Sequence, residues 1–229
     1  MNKKVSIGHI VREYVAVRPC LQEALKQGIL NYSAVARKIS NELREEKNII
    51  VNIPAAKMAL LRLADKLQLT TRGLEEKILH ILAESSLQII NDVTVVTAGD
   101  EIDIPKVYEL ARENRARFIQ STRSLHTVTL MIDQGLLKKI RESFTFTPIK
   151  IMKDQTAIII TSPLEIVETP GVVAYIMSSL AYNGINVTQF ISCHTDTILI
   201  IDRKDALRAY SILEKLILKA RKKSIKDSS

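Results

Sequence analysis

Tryptophan is absent from the sequence, and only 4 % of its 229 residues are aromatic. Isoleucine, leucine and valine must therefore supply most of the buried surface. No apolar run approaches the roughly 20 residues that a membrane-spanning helix needs, and the first residues are too mixed for the apolar core of a signal peptide. We therefore expect a cytoplasmic protein that has no membrane partner.

Cysteine is scarce, and motifs for catalysis are missing. Cys20 and Cys193 lie far apart, which favours two inert thiols in a reducing compartment. The four histidines lack metal-ligand spacing, and the sequence has no Walker loop, nucleophile elbow, glycine fingerprint or His-Glu-x-x-His helix. We therefore expect no cofactor, no metal site and no catalytic residues, and interpret the chain as a protein that is not an enzyme.

Charge is mildly basic and unevenly distributed. The net charge is +8, and residues 1–84 carry 14 basic against 9 acidic residues. A surplus of this size permits nucleic acid as a partner without demonstrating it. The basic residues near the C-terminus, 219–223, are typical of a solvated helix end.

The first 84 residues have the apolar spacing of successive helices. We expect helices at 5–17, from Pro19 to Gly28, at 33–46, at 54–68, and from Thr71 onward. From residue 87 the pattern changes to β-branched strands in the order β-α-β-β-α-β, and this order begins again near residue 156. The sequence predicts an α+β fold with a helical segment at 1–84, a first unit at 85–153, a second unit at 154–221 and a polar tail at 222–229.

The second unit lacks an obvious last strand. Its final helix is followed by polar residues without strand alternation. Two explanations are open: residues 149–152 serve the second unit or are shared, or a partner chain completes the sheet.

The segment after residue 161 has the features of an anion-binding helix start. We predict Thr169 as the helix cap, Pro170 in the first helical position and Gly171 without a side chain beside the first N–H groups. Free donors and the helix dipole would favour a carboxylate there. Residues 183–184 suit the end of this helix, and Asn186 opens the next strand with an amide that both donates and accepts.

These residues carry a resemblance. Residues 169–172 before a helix, then 180–181 and 183–187 before a strand, resemble the ACT domain, in the variant found in aspartate kinases. The resemblance covers residues 155–217. Residues 87–152 are similar only in element order, because residues 97–105 lack the Pro-Gly step.

The resemblance implies ferredoxin-like βαββαβ units that pair side by side, within or between chains, and often bind an amino acid at their interface. It also implies a homodimer or larger oligomer. The alternative is that Gly171 and Gly184 only relieve backbone strain, as in ACT units that are purely structural. The effector-binding residues it implies are Thr169, Pro170, Gly171, Val172, Asn186, Val187 and Thr188.

The N-terminal helices have some features of a helix-turn-helix. Ala24 and Gly28 precede a turn as they do in many such motifs. A second register, similar to winged-helix domains, would use helix 54–68 for reading DNA, and an all-helical interaction module is a third interpretation. In the first register the next helix presents a polar stripe whose side chains suit base edges in double-stranded DNA: Ser33, Arg37, Asn41 and Arg44.

Two functions follow as hypotheses. The first is a non-enzymatic regulatory protein that senses a small metabolite, an amino acid above all, and has DNA binding as its output. The alternative is a protein–protein regulatory module that associates with an enzyme of amino-acid metabolism.

Overall fold

The computed structural model describes residues 6–144 and 146–227. Tertiary contacts divide the chain into two compact regions, an N-terminal region Met1–Glu76 and a C-terminal region Lys77–Ser229, which are described separately below. The helices and strands, in chain order, are α1 (Ile7–Ala16), α2 (Pro19–Lys26), α3 (Tyr32–Lys47), α4 (Ile53–Glu84), β1 (Ser86–Gly99), α5 (Ile104–Glu113), β2 (Ile119–Arg123), β3 (Thr127–Asp133), α6 (Gln134–Ser143), β4 (Pro148–Thr161), a 3₁₀ turn (Leu164–Val167), α7 (Val172–Tyr182), β5 (Val187–Cys193), β6 (Asp196–Asp202) and α8 (Arg203–Asp227).

The N-terminal region is built from helices whose ends follow from the local sequence. Pro19 occupies the first turn of α2, and Gly28 leaves that helix with φ +68°, a conformation that favours glycine. The Asn31 side chain caps α3 by accepting from the Ala34 N–H at 3.1 Å, and Asn52 caps α4 by accepting from the Ala55 N–H at 3.0 Å. The buried core comprises Val11, Tyr14, Val15, Leu25, Ala36, Ile39, Leu43, Val51, Ala56, Leu60 and Ala64.

A polar cluster joins α1 to α3. The Tyr14 hydroxyl donates to Glu42 Oε2 at 2.6 Å, and the Arg18 guanidinium donates to the same oxygen at 3.2 Å. Arg18 also lies 3.6 Å from the centre of the Tyr14 ring. Burial and the Glu42 hydrogen bond raise the pKa of Tyr14 to about 12, while the same hydrogen bond, first among several causes, lowers the pKa of Glu42.

The last two helices predicted for residues 1–84 form a single continuous helix. We expected a new helix from Thr71, but α4 is continuous from Ile53 to Glu84. Pro54 lies in the first turn of α4 and no later proline interrupts the helix. The single Gly73 costs about 1 kcal/mol in a helix interior, which packing elsewhere along a long helix can offset. At the other end of the chain, α8 likewise continues past Arg221 to Asp227.

The C-terminal region contains both repeat units in one six-stranded antiparallel sheet, with the strand order β2-β3-β1-β4-β6-β5. The α+β prediction is thereby confirmed. The two central strands, β1 and β4, are each 14 residues long.

The last strand of the second unit comes from the start of β1. Residues 86–90 of β1 pair with residues 157–161 of β4, whereas residues 93–98 pair with 148–155. Both strands bulge between these segments, where Asp92 and Asp154 have φ of +63° and +53°. The first unit thus consists of β1 from residue 93, α5, β2, β3, α6 and the start of β4. The second consists of the rest of β4, α7, β5, β6, α8 and residues 86–90. Neither explanation offered for the missing strand is right, because it precedes both units in the chain.

The two faces of the sheet have different partners. On one face, Val96, Val128, Leu130 and Ile132 pack with α5 and α6 in a single buried cluster. On the opposite face the strands of both units share a second cluster, made of Val93, Val95, Phe118, Met131, Ala157, Ile198 and Ile200. The two units are therefore joined by apolar packing as well as by the β1–β4 ladder.

Because residues 86–90 supply the last strand of the second unit, substitutions at neighbouring positions in this segment should differ in their effect on stability. Ile89 pairs with the buried Ile158, whereas Gln88 is exposed. Ile89→Asp should lower the free energy of unfolding by about 2–3 kcal/mol, because it places a charge against a buried strand. Gln88→Asp is the matched control and should change it by less than about 0.5 kcal/mol. Equal effects in chemical denaturation would contradict the register.

The Tyr14–Glu42 bond predicts a pH dependence. Because the folded-state pKa of Glu42 is lowered, its contribution to stability is present above its ordinary pKa and is lost as pH falls through the folded value. In Tyr14→Phe the pKa of Glu42, followed by carboxyl NMR, should therefore rise. The stability difference between this variant and the unmodified protein should shrink below about pH 4.5. A difference that grows on acidification would contradict this assignment.

Candidate effector site

The start of α7 lies two residues later than the sequence suggested. Gly171, not Thr169, is the residue that precedes the helix, and Val172, not Pro170, is its first residue. The predicted cap was wrong because Thr169 still belongs to the turn that follows the 3₁₀ helix: its N–H donates to the Glu165 carbonyl at 3.0 Å. The first helical bond runs from the Tyr175 N–H to the Gly171 carbonyl at 2.8 Å.

No side chain among the described residues caps the N-terminus of α7. Gly171 has φ +94°, is exposed and offers no side-chain acceptor. A Cβ atom added to it would lie 3.2 Å from Ile78 Cδ1, so Ile78 packs against one side of this glycine. The first N–H groups of α7 are left without a side-chain acceptor, at the positive end of the helix dipole.

The equivalent helix of the first unit is capped by its own carboxylate. Asp103 precedes α5, and its Oδ1 accepts from the Lys106 N–H at 3.2 Å. This bond is the main cause that lowers the pKa of Asp103, with the Lys106 ammonium 3.3 Å from Oδ2 as a further contribution. The first unit therefore places an anion where the second unit has an exposed glycine.

The ends of α5 and α7 confirm that the two units are structural repeats. Asn114 and Asn183 end these helices with nearly identical φ of −93° and −94°, and each side-chain amide donates to a carbonyl four residues earlier at 2.8 Å. The following residues, Arg115 and Gly184, both have positive φ. This alignment places Arg117 of the first unit opposite Asn186 of the second.

The predicted effector residues lie at opposite ends of α7. Residues 169–172 precede the helix, and residues 186–188 follow it. The 11 residues of α7 span about 16 Å, several times the length of one amino acid. The second unit therefore presents two separate groups of candidate residues, and one amino acid cannot contact both within the unit.

The second group is partly engaged in structure. The Thr188 hydroxyl lies 2.9 Å from Gln155 Oε1 and 3.0 Å from the Ile200 carbonyl, at a bulge in β5. Val187 is half-buried, whereas Asn186 is exposed. Only Asn186 of this group offers a polar side chain without a hydrogen bond to any described residue.

Opposite Asn186, the first unit carries an ion-pair network that the sequence analysis missed. Arg117 Nε donates to Asp133 Oδ2 at 2.9 Å, and Arg117 Nη2 lies 3.8 Å from Asp92 Oδ2. Asp92 also pairs with Arg203 at the start of α8. Burial would raise the pKa of Asp133, but the hydrogen bonds from Arg117 and from the Gly135 N–H lower it. Aligning Asn114 with Asn183 is the sequence signal that would have drawn attention to Arg117.

The predicted DNA-binding stripe is exposed along α3. Arg37, Asn41 and Arg44 are exposed and Ser33 is half-buried, on the side away from the buried residues Ala36, Ile39 and Leu43. Arg37 and Arg44 form no ion pair with any residue that the structure describes. Lys57 and Arg62 of the alternative register are exposed on α4 as well.

The described ranges contain neither a metal-binding cluster nor a membrane-spanning helix. No group of three or more histidine, cysteine or acidic side chains there is arranged to hold a metal ion. None of the described helices has the length and apolarity that crossing a membrane would require.

The comparison with protein families identifies one domain. Residues 150–215 match the family model described as ACT domain, so the stretch from β4 into α8 is an ACT domain. No curated protein has significant sequence similarity to the chain.

Several solved structures are similar at low identity. Aspartate kinase from Clostridium acetobutylicum has 12 % identity and a TM-score of 0.48, over 58 % of this chain and 34 % of that one. The regulatory subunit of aspartate kinase from Thermus thermophilus has 15 % identity and a TM-score of 0.44, over 57 % and 95 %. A protein of unknown function from Vibrio cholerae has 16 % identity and a TM-score of 0.46, over 63 % and 98 %. This chain thus spans about a third of the Clostridium enzyme.

Proposed function

We propose that this protein is a non-enzymatic regulator whose ACT domain binds the carboxylate of an amino acid at the start of α7. The observation that carries the proposal is the contrast between the two units. Asp103 supplies a carboxylate to the N–H groups of α5, whereas α7 begins at an exposed glycine with no side-chain cap. A ligand carboxylate would take the place that Asp103 takes in the first unit.

The chemistry of this position suits an amino acid. A carboxylate at a helix start gains about 0.3–1 kcal/mol from the dipole when exposed, in addition to its hydrogen bonds. The exposed carboxylates of Glu165 and Glu168, in the loop before α7, are available to a ligand ammonium group. The helix start would then bind the ligand carboxylate, and the glutamates of the same loop would bind its ammonium group.

The contact between Gly171 and Ile78 offers a route for a response. Ile78 belongs to α4, whose last turns are held by several bonds. Arg221 of α8 donates to the carbonyls of Ala83 and Ser85 at 2.9 and 2.8 Å, and the Ser85 and Ser162 hydroxyls lie 2.9 Å apart. A ligand that favours one packing of Ile78 against Gly171 would shift the equilibrium between alternative positions of α4. Coupling free energies of this kind are typically about 1–3 kcal/mol.

DNA binding through α3 is the output that we propose, because Arg37 and Arg44 are exposed and lack ion-pair partners within the described chain. The alternative is association with an enzyme of amino-acid metabolism. In either case the edge strands β2 and β5 are available for the homodimer expected from the resemblance.

The effector proposal predicts a selective thermal shift. In a screen of the twenty amino acids on the full chain, one ligand at a hundred times its Kd should add about 2.7 kcal/mol to the stability of the folded state. The amide of the same amino acid, which lacks the carboxylate, should have little effect. A screen without any hit, or an amide that acts equally well, would contradict carboxylate binding.

Replacing either of two alanines of α7 by glutamate tests where the ligand binds. Ala174→Glu adds a carboxylate to the first turn of α7, so it should stabilise the unliganded protein by about 0.3–1 kcal/mol and abolish the ligand shift. Ala181→Glu, in the last turn of the same helix, is the matched control. It should be slightly destabilising and leave the ligand shift intact. A ligand shift that survives Ala174→Glu would place the site elsewhere.

The DNA proposal predicts a salt-dependent interaction with random duplex DNA. Replacing both Arg37 and Arg44 by alanine should weaken binding and reduce the slope of log Kobs against log salt by about 2, since each phosphate contact contributes about 0.9. The paired variant Lys57→Ala with Arg62→Ala tests the alternative register. Absence of binding at low salt would favour the protein–protein module.

A further inference from the structure

The first unit contains a cavity of about 360 Å³ between α5 and the edge strand β2. Its floor is apolar, since Ala111 is buried and Ala116 and Ile119 are half-buried. On one side, the Tyr108 hydroxyl lies 3.3 Å from the Ser121 hydroxyl, which holds the ring beside β2. Arg112 and Arg115, both exposed, also belong to its lining.

The second unit carries larger side chains at two of the equivalent positions. The alignment of Asn114 with Asn183 places Leu180 opposite Ala111 and Ile185 opposite Ala116. Leu180 and Ile185 are buried, with exposures of 0 % and 5 %. Larger side chains thus fill in the second unit the space that two alanines leave open in the first. The cavity is therefore a property of the first unit's residues, not of the fold.

The two arginines are also peculiar to the first unit. Arg112 stands opposite Ala181, and Arg115 stands opposite Gly184. Arg115 has φ +50°, a left-handed conformation that disfavours residues other than glycine, asparagine and aspartate. Neither arginine has an ion-pair partner within the described ranges. An arginine in this strained position, beside a second unpaired arginine, places two positive charges at the cavity rim.

We propose that this cavity binds a small organic anion. A carboxylate or phosphate group would accept hydrogen bonds from Arg112 and Arg115, whose planar guanidinium groups suit such anions. The apolar body of the ligand would rest on Ala111, Ala116 and Ile119, beside the Tyr108 ring. This site is separate from the start of α7, so it does not rest on the effector proposal.

Three probes test the charge and the apolar body together. Benzoate and phenyl phosphate, titrated into the full-length protein, should shift the amide NMR signals of residues 108–119 in a saturable way. Benzamide has the same ring without the charge, and it should bind about tenfold more weakly because charge-assisted hydrogen bonds are lost. Equal affinity for benzamide and benzoate, or no saturable shift with either anion, would overturn the proposal.

Variants test the two halves of the site. Arg112→Gln and Arg115→Gly should each weaken benzoate binding about tenfold, and the second also relieves the positive φ, so it should not impair folding. Arg141→Gln is the matched control, because Arg141 is the last-turn arginine of α6 and does not line the cavity.

Ala116→Ile keeps both arginines but fills the cavity as Ile185 does in the second unit, and it should abolish binding. Benzoate binding unaffected by Ala116→Ile, or reduced equally by Arg112→Gln and Arg141→Gln, would show that the anion is not held here. Ala174→Glu in α7 should leave benzoate binding unchanged, so this site and the effector site can succeed or fail independently.

Discussion

The antiparallel pairing of β1 with β4 is the constraint on which the sheet depends. Each strand is 14 residues long and serves both units, with a bulge at Asp92 in one and at Asp154 in the other. Because residues 86–90 close the second unit and residues 148–152 close the first, neither unit has its full set of strands without the other. Arg117 and Arg203, one from each unit, both pair with Asp92 at this crossing.

The two units share a backbone design but differ at the residues on which the two proposed sites depend. Asp103 caps the first helix of one unit, where Gly171 leaves the other uncapped. Conversely, the first unit has a cavity with arginines at its rim, where Leu180 and Ile185 fill the second. These differences are the basis of the two anion sites proposed above, one at α7 and one beside α5.

Much of the fold was predictable, and the errors have local causes. Periodicity and β-branched runs predicted the order of helices and strands, because both depend on neighbouring residues. The predictions of a new helix from Thr71 and of a cap at Thr169 were wrong, because apolar spacing does not show whether a helix continues past such a point or how far the turn before α7 extends. The candidate effector residues were close in sequence, yet α7 separates residues 169–172 from residues 186–188.

Composition and local pattern by themselves determined an aliphatic core, a helical first part, an α+β remainder and the positions of Pro19, Gly28 and Asn183 at helix ends. Only the tertiary structure decided which strand closes the second unit. Backbone hydrogen bonds between strands carry no residue identity, so the pairing of residues 86–90 with 157–161 has no signature in either segment. The cavity beside α5 is likewise a tertiary fact, because a small residue leaves space only where its neighbours do not fill it.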